Sequence, residues 1–213
     1  METSTVTSEI LARHPALEGT IPDLVRLCER MTAIFEAGGK LLVAGNGGSA
    51  ADAQHIVAEL MKSFEAKRPL SGHTAGLLGN LPHGKKLAKN LEAGLPAIAL
   101  GMNHSLTSAI GNDFEEPHLQ YAQELLALGA ESDALLGIST SGRARNVLYA
   151  MITAKAKGLF IAALTGPNSG EMGEVADLTI TVPAQRTTEV QELHEVIYHG
   201  MCRALEHHFF GSG

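Results

Sequence analysis

The chain has 213 residues and a formal net charge of −7, from 16 Lys and Arg against 23 Asp and Glu. That length suits one domain with a full core, and the acidic balance argues against a nucleic-acid partner, which needs clustered cations. Hydrophobic residues make up 45% but aromatics only 4%, with no Trp, so Ala, Leu, Ile and Val must fill the interior.

In chain order, residues 4–37 read as an N-terminal helical segment. It holds one helix over 4–14 and a second over 21–37, which starts at the Thr20-Ile21-Pro22-Asp23 signal and stops at Gly38-Gly39. Residues 40–44 form an apolar run suited to a buried parallel strand, and 50–62 a helix. Residues 65–94 are crowded with turn signals at Pro69, Ser71-Gly72, Gly76, Gly79 and Pro82. They read as a flap or insertion with a short helix near 84–92. A strand at 96–100, a short helix at 105–110, a turn at Gly111-Asn112-Asp113 and a helix at 118–128 follow. Strand 134–138, helix 144–157, strands 159–164 and 178–182 and a long helix over 187–210 complete the chain. The alternation predicts an α/β fold of three layers, with a central parallel sheet between helices. Cys28 and Cys202 form no C-x-x-C pair, so two reduced, buried thiols are expected. No leader pattern opens the chain and no run reaches 18 apolar residues, so no membrane partner and a cytoplasmic location are expected.

Two short turns carry the strongest chemical signal. GNGGSA, with Asn46, Gly47, Gly48 and Ser49, and STSG, with Ser139, Thr140 and Ser141, each lie between a strand and a helix. Glycines let backbone approach a ligand, and amide groups at a helix start favour an anion. Hydroxyls outnumber cations in both turns, which suits a sugar monophosphate. A dinucleotide turn is the main rival, but the G-x-G-x-x-G spacing is absent, and so is a P-loop. Both turns fall at the carboxyl ends of strands and can share one pocket.

Two helices add titratable groups. His55 and Glu59 are four apart on one face of the helix after the first turn, and Gln191, Glu195 and His199 repeat that spacing on the last helix. A carboxylate near a sugar phosphate can remove a proton beside a carbonyl, and an imidazole can move protons to and from oxygen. His194, His207 and His208 read as surface or interface residues.

GNGGSAADAQHIVAEL, the GND at 111–113, DALLGISTSG and VQELHEVIYH together resemble the sugar-isomerase (SIS) domain family, and within it the phosphoheptose isomerases. The resemblance spans 20–206. It implies aldose–ketose isomerisation of a phosphorylated sugar through an enediol, most closely sedoheptulose 7-phosphate to glycero-manno-heptose 7-phosphate. It also implies Glu59 as general base and His199 as its proton-transfer partner. Ser49, Ser139, Thr140 and Ser141 match phosphate binders, with Asn46, Asp113 and Gln191 beside the substrate. His55, Glu59, Gln191 and His199 match a set that holds Zn²⁺ in some members, though an amide is an uncommon zinc ligand. The resemblance further implies a homotetramer with active sites at subunit interfaces, so that Glu59 and His199 meet between subunits. A non-catalytic relative that associates with a replication initiator is the alternative, as is an isomerase of another sugar phosphate. Three departures bear on substrate: Ala144 lacks a hydroxyl that Arg143 or Arg145 would offset by charge, Ser63 replaces an arginine, and Thr188 replaces an aspartate.

Overall fold

The computed structural model describes residues 3–211. Helix α1 (Thr3–Arg13), a 3-10 turn (Pro15–Thr20) and α2 (Ile21–Glu36) precede strand β1 (Leu41–Gly45) and helix α3 (Gly48–Met61). Helices α4 (Gly72–Gly79) and α5 (Gly84–Asn90) come before β2 (Ala97–Ala99), α6 (His104–Asp113) and α7 (Gln120–Leu128). The remainder is β3 (Ala134–Ser139), α8 (Arg145–Ala156), β4 (Phe160–Thr165), α9 (Gly170–Val175), β5 (Leu178–Thr181) and α10 (Thr187–Phe210). The sheet is parallel throughout, in the order β2-β1-β3-β4-β5.

Every residue of β1 and β3 is buried, as expected of strands covered on both faces. Period two then sorts their side chains into two cores. Leu41, Val43, Leu136 and Ile138 join Leu24, Met31, Ile56, Leu60, Ile197 and Met201, from α2, α3 and α10, on one face. Leu42, Ala44, Leu135 and Ile161 join Leu125, Val147, Met151 and Met172, from α7, α8 and α9, on the other. The three-layer architecture expected from the sequence is therefore observed, and Cys28 and Cys202 are buried free thiols. No described helix is long and apolar enough to cross a membrane.

Four features differ from the expectation. The Gly111-Asn112-Asp113 segment is not a turn but the last part of α6. Asn103 caps that helix by accepting from Leu106 N at 3.0 Å, and the helix ends only at Phe114. Within 65–94, Ser71 is likewise a helix cap, accepting from Thr74 N at 3.2 Å, so its Ser-Gly signal starts α4. The glycines of α4 had masked this helix, and α9 was too short to be read from pattern. The fourth difference is His194, expected at the surface but fully buried on the inner side of α10.

Burial lowers the His194 pKa to about 4, opposed only in part by the Thr165 backbone nearby; neither ring nitrogen makes a well-formed hydrogen bond. The imidazole is thus folded in its neutral form, while the unfolded chain takes up a proton near its ordinary value of about 6.5. The stability that depends on neutral His194 is complete above that value and is lost as the pH falls toward about 4. Replacing His194 by Leu is expected to flatten the loss of urea midpoint between those pH values, where the wild type loses up to about 3 kcal/mol.

Candidate active site

At the carboxyl end of β1, the chain turns through Asn46 and Gly47 into α3. The Asn46 carbonyl accepts from Ser49 N at 2.9 Å and the Gly47 carbonyl from Ala50 N at 3.1 Å. No backbone bond among the described residues takes up the Gly47 and Gly48 amides, which leaves both for a ligand. A Cβ at Gly48 would lie 2.2 Å from Nε2 of Gln191, so a larger residue there would displace that side chain. Gln191, in the second turn of α10, therefore packs directly on the first turn.

The second turn follows β3. Gly142 has φ +66°, and a Cβ there would lie 2.1 Å from the Ser169 carbonyl oxygen. Its amide donates to the Ser139 carbonyl at 3.2 Å, folding Thr140 and Ser141 over a cavity of about 280 Å³. Arg143, Asn168, Gln185 and Thr187 also line this space. Thr187 opens α10, whose first turn has no side-chain cap, so amides and dipole there suit an anion. Ala144, the N-cap of α8, likewise supplies no side-chain bond. Of the two nearby arginines, Arg143 borders the cavity and Arg145 does not.

A polar lock joins the two turns. Asn46 Nδ2 donates to Asn146 Oδ1 and Asn146 Nδ2 donates to Asn46 Oδ1, both at 2.8 Å. Tyr121 adds its hydroxyl to the Gly45 carbonyl and, at 3.2 Å, to Asn46 Oδ1. Asn46 is thus half committed to structure.

Further along α3 and α10, the titratable groups converge within a single chain. His55 Nε2 lies 3.1 Å from Glu59 Oε1 and 3.5 Å from His199 Nε2. The His55 and His199 rings meet edge to face at 4.9 Å, and His199 also packs on Phe64. Glu195 brings a carboxylate oxygen, so the ligand atoms of His55, Glu195 and His199 all lie within 4.8 Å of one another. Glu59 Oε2 is buried with no partner among the described residues. Burial lowers the His199 pKa, helped by the charge of His55 and opposed by Glu195, Glu59 and Glu65, so the ring favours its neutral form. A separate cavity of about 840 Å³ lies away from these groups, between α2 and the amino ends of β3, β4 and β5.

The same architecture and sequence recur in known enzymes. The chain is 39% identical over 203 residues to the phosphoheptose isomerase of Burkholderia pseudomallei, covering 95% of this chain and 90% of that one. The chain belongs to the phosphoheptose isomerase family. The solved phosphoheptose isomerase of Francisella tularensis superposes with a TM-score of 0.75 at 30% identity, over 95% of this chain and 94% of that one. The sugar isomerase domain of an RpiR transcription factor from Sphaerobacter thermophilus shares the fold, with a TM-score of 0.51 at 16% identity, over 94% of this chain and 88% of that one. No family model matches the chain. Membership makes the chain a sugar-phosphate isomerase with the SIS fold.

Set against the sequence expectations for this family, Glu59, His55 and His199 are brought together, and they meet within one chain rather than only between two. Ser49 is buried at the first turn, and Ser139, Thr140 and Ser141 form the second. Gln191 is at the end of α10 nearest the turns. Asp113 sits exposed at the end of α6, accepting from Asn112 Nδ2 at 2.8 Å. Four contributors were not singled out from sequence: Asn146, Tyr121, Asp52 and Tyr198, whose roles depend on contacts between distant segments. Glu195 was legible through its four-residue spacing.

Removing Asn146 leaves the Asn46 amide unpaired and frees the two turns to separate. Asn146→Ala is expected to weaken inorganic phosphate binding about tenfold, the effect of losing one such bond. Titration calorimetry on the folded variant reads the change.

Proposed function

We propose that the protein interconverts sedoheptulose 7-phosphate and glycero-manno-heptose 7-phosphate through a cis-enediol. The observation that carries this reading is the meeting of Glu59, His55 and His199 between α3 and α10, two helices whose first turns adjoin the two serine turns. Phosphate docks on Ser49, Ser139, Thr140, Ser141 and the Gly47 and Gly48 amides, with Arg143 supplying the charge for the hydroxyl absent at Ala144. Along α3, His55 is seven residues beyond Gly48, about 10 Å of helix rise. That offset suits a long, extended sugar phosphate whose carbonyl end lies far from its phosphate. Asn46 and Gln191, at the turn end, contact substrate hydroxyls, and Asp113 belongs to the same reading as a substrate contact.

Glu59 Oε2, buried and unpartnered, takes the proton from the carbon beside the carbonyl and returns it to the neighbouring carbon. His199, held neutral by burial, passes protons between the two substrate oxygens. Fixing both groups against one bound chain supplies the proximity on which the step depends.

The donor set also fits Zn²⁺. Ligands at 2.0–2.1 Å from a tetrahedral ion are about 3.3 Å apart, close to the 3.1 Å and 3.5 Å separations around His55 Nε2. His55, Glu59 and His199 would hold the ion, with the Glu195 carboxylate as the fourth ligand; the Gln191 amide, expected from the family resemblance to join this set, packs instead on Gly48 at the first turn. Bound there, it would act as a Lewis acid on the carbonyl and the enediolate. The working form in this reading is the homotetramer expected of the family, with neighbouring subunits beside a base and partner that already meet within one chain. This polar set is what a binding-only relative would not need, so the non-catalytic alternative is not favoured.

NMR of the purified protein with sedoheptulose 7-phosphate tests the reading directly. Appearance of the aldose, with deuterium from D₂O at the adjacent carbon, is expected, and no conversion among C5 to C7 sugar phosphates would overturn it. Glu59→Gln is expected to lower that exchange by about 10²–10⁴-fold while the fold is retained.

A further inference from the structure

Tyr198 packs its ring edge to face on His199 at 4.9 Å and carries its hydroxyl to the His55 ring nitrogen opposite the one that faces Glu59. It is 2% exposed, and its hydroxyl is 3.1 Å from His55 Nδ1 and 3.4 Å from Asp52 Oδ1. The rings of Tyr198 and His55 pack edge to face at 5.5 Å. The second oxygen of Asp52 is buried without a hydrogen-bond partner among the described residues. One imidazole thus has a hydroxyl at Nδ1 and a carboxylate and a second imidazole at Nε2.

A neutral histidine carries one proton and must place it on one nitrogen or the other. With the proton on Nε2, the ring donates to Glu59 Oε1, and Nδ1 accepts from the Tyr198 hydroxyl. With the proton on Nδ1, the ring donates to the Tyr198 oxygen, and the hydroxyl turns its own proton to Asp52 Oδ1. Both arrangements keep Nδ1 hydrogen-bonded, because a hydroxyl can donate or accept. Only the second leaves the Nε2 lone pair bare, facing Glu59 and His199.

We propose that Tyr198, backed by Asp52, is a positioning residue that lets His55 adopt the Nδ1-protonated tautomer and so presents Nε2 to a divalent metal ion. The inference rests on the reading of His55 as a metal ligand. A ring nitrogen that binds metal has its other N–H fixed by a hydrogen-bond acceptor, commonly a carboxylate, and losing that partner weakens affinity about 10–100-fold. Here a tyrosine stands between the carboxylate and the imidazole. Phenylalanine at 198 would keep the ring packing and remove the acceptor at Nδ1, so the metal-ready tautomer would lose its N–H partner among the described residues.

The test uses the whole protein, stripped with a chelator and titrated with Co²⁺ alone, with visible d–d absorption reporting affinity and geometry. Zn²⁺ affinity follows by competition with a chromophoric chelator. Tyr198→Phe is expected to bind both ions about 10–100-fold more weakly than wild type. Imidazole ¹⁵N shifts of the metal-free variant should place the His55 proton on Nε2, where the wild type exchanges between nitrogens. Asp52→Asn should give a smaller loss, and it carries the same test if Tyr198→Phe does not fold. Affinities within about twofold of wild type, with unchanged ¹⁵N shifts, would overturn the assignment of Tyr198 and leave the metal reading standing. A wild-type protein that takes up neither ion would overturn both, whereas the D₂O exchange assay reads the acid–base assignment independently.

Discussion

The geometry of the site depends on one buried ion pair. Arg68 and Glu206 are both fully inaccessible, and their side chains meet at 2.8 Å. Glu206 also accepts from the backbone amides of Phe64, Glu65 and Ala66, at 2.7, 2.7 and 2.9 Å. Arg68 gives its remaining donors to the carbonyls of Leu60 and Glu59, at 2.6 and 2.8 Å, and stacks over Phe210. Against the cost of burial, these hydrogen bonds hold Glu206 below its ordinary carboxylate range. A pair of this kind adds little net stability compared with well-packed apolar residues, but removing one partner strands a charge in the interior. Its consequence here is register: the end of α3, the root of 65–94 and α10 can dock in only one way.

Register matters because Glu206 and His199 are seven residues apart on α10, on the same side of the helix. Fixing Glu206 over the last turn of α3 carries His199 and Glu195 opposite His55 and Glu59. Arg203 reinforces the arrangement by reaching Glu9 on α1 and Glu65, both at 2.8 Å. The apolar seam of Ile56, Leu60, Ile197 and Met201 then holds the two helices against the sheet, each large side chain contributing about 1.5–3 kcal/mol by burial. The cluster of His55, Glu59, Glu195 and His199 is held in place because these surrounding contacts fix the two helices that carry it.

The parts of this molecule legible in the sequence were local or periodic. Strands β1 and β4 announced themselves as apolar runs, α10 as a long helical pattern, and the two turns as glycine and serine between a strand and a helix. What escaped was set by contact between distant segments. His194 reads like its polar neighbours until the sheet closes over that face of α10. The Asn46–Asn146 lock joins residues 100 positions apart, and the Arg68–Glu206 pair joins residues 138 apart. The α6 segment around Gly111 was misread because a glycine-asparagine-aspartate triplet has turn chemistry, yet an exposed helix already capped by Asn103 tolerates it.

The crowding around His55 explains why so much structure is committed to holding two helices in place. A carboxylate oxygen at 3.1 Å and a second imidazole nitrogen at 3.5 Å repel the lone pair of His55 Nε2 unless a proton or a metal ion lies among them. In water such groups would swing apart; here α3 and α10 prevent it. The demand for positive charge is met by a proton on one ring or by a metal ion, and a substrate passing toward an enediolate, which gains negative charge, adds to it. Because the groups are fixed before the substrate arrives, little reorganisation is needed when charge develops, which is the condition under which electrostatic stabilisation is strongest. The neutral bias of His199 sharpens the same demand, since burial and the neighbouring His55 both disfavour its protonated form. The ion pair at Arg68 therefore serves the chemistry through geometry alone: it lets the fold retain an arrangement that its own electrostatics oppose.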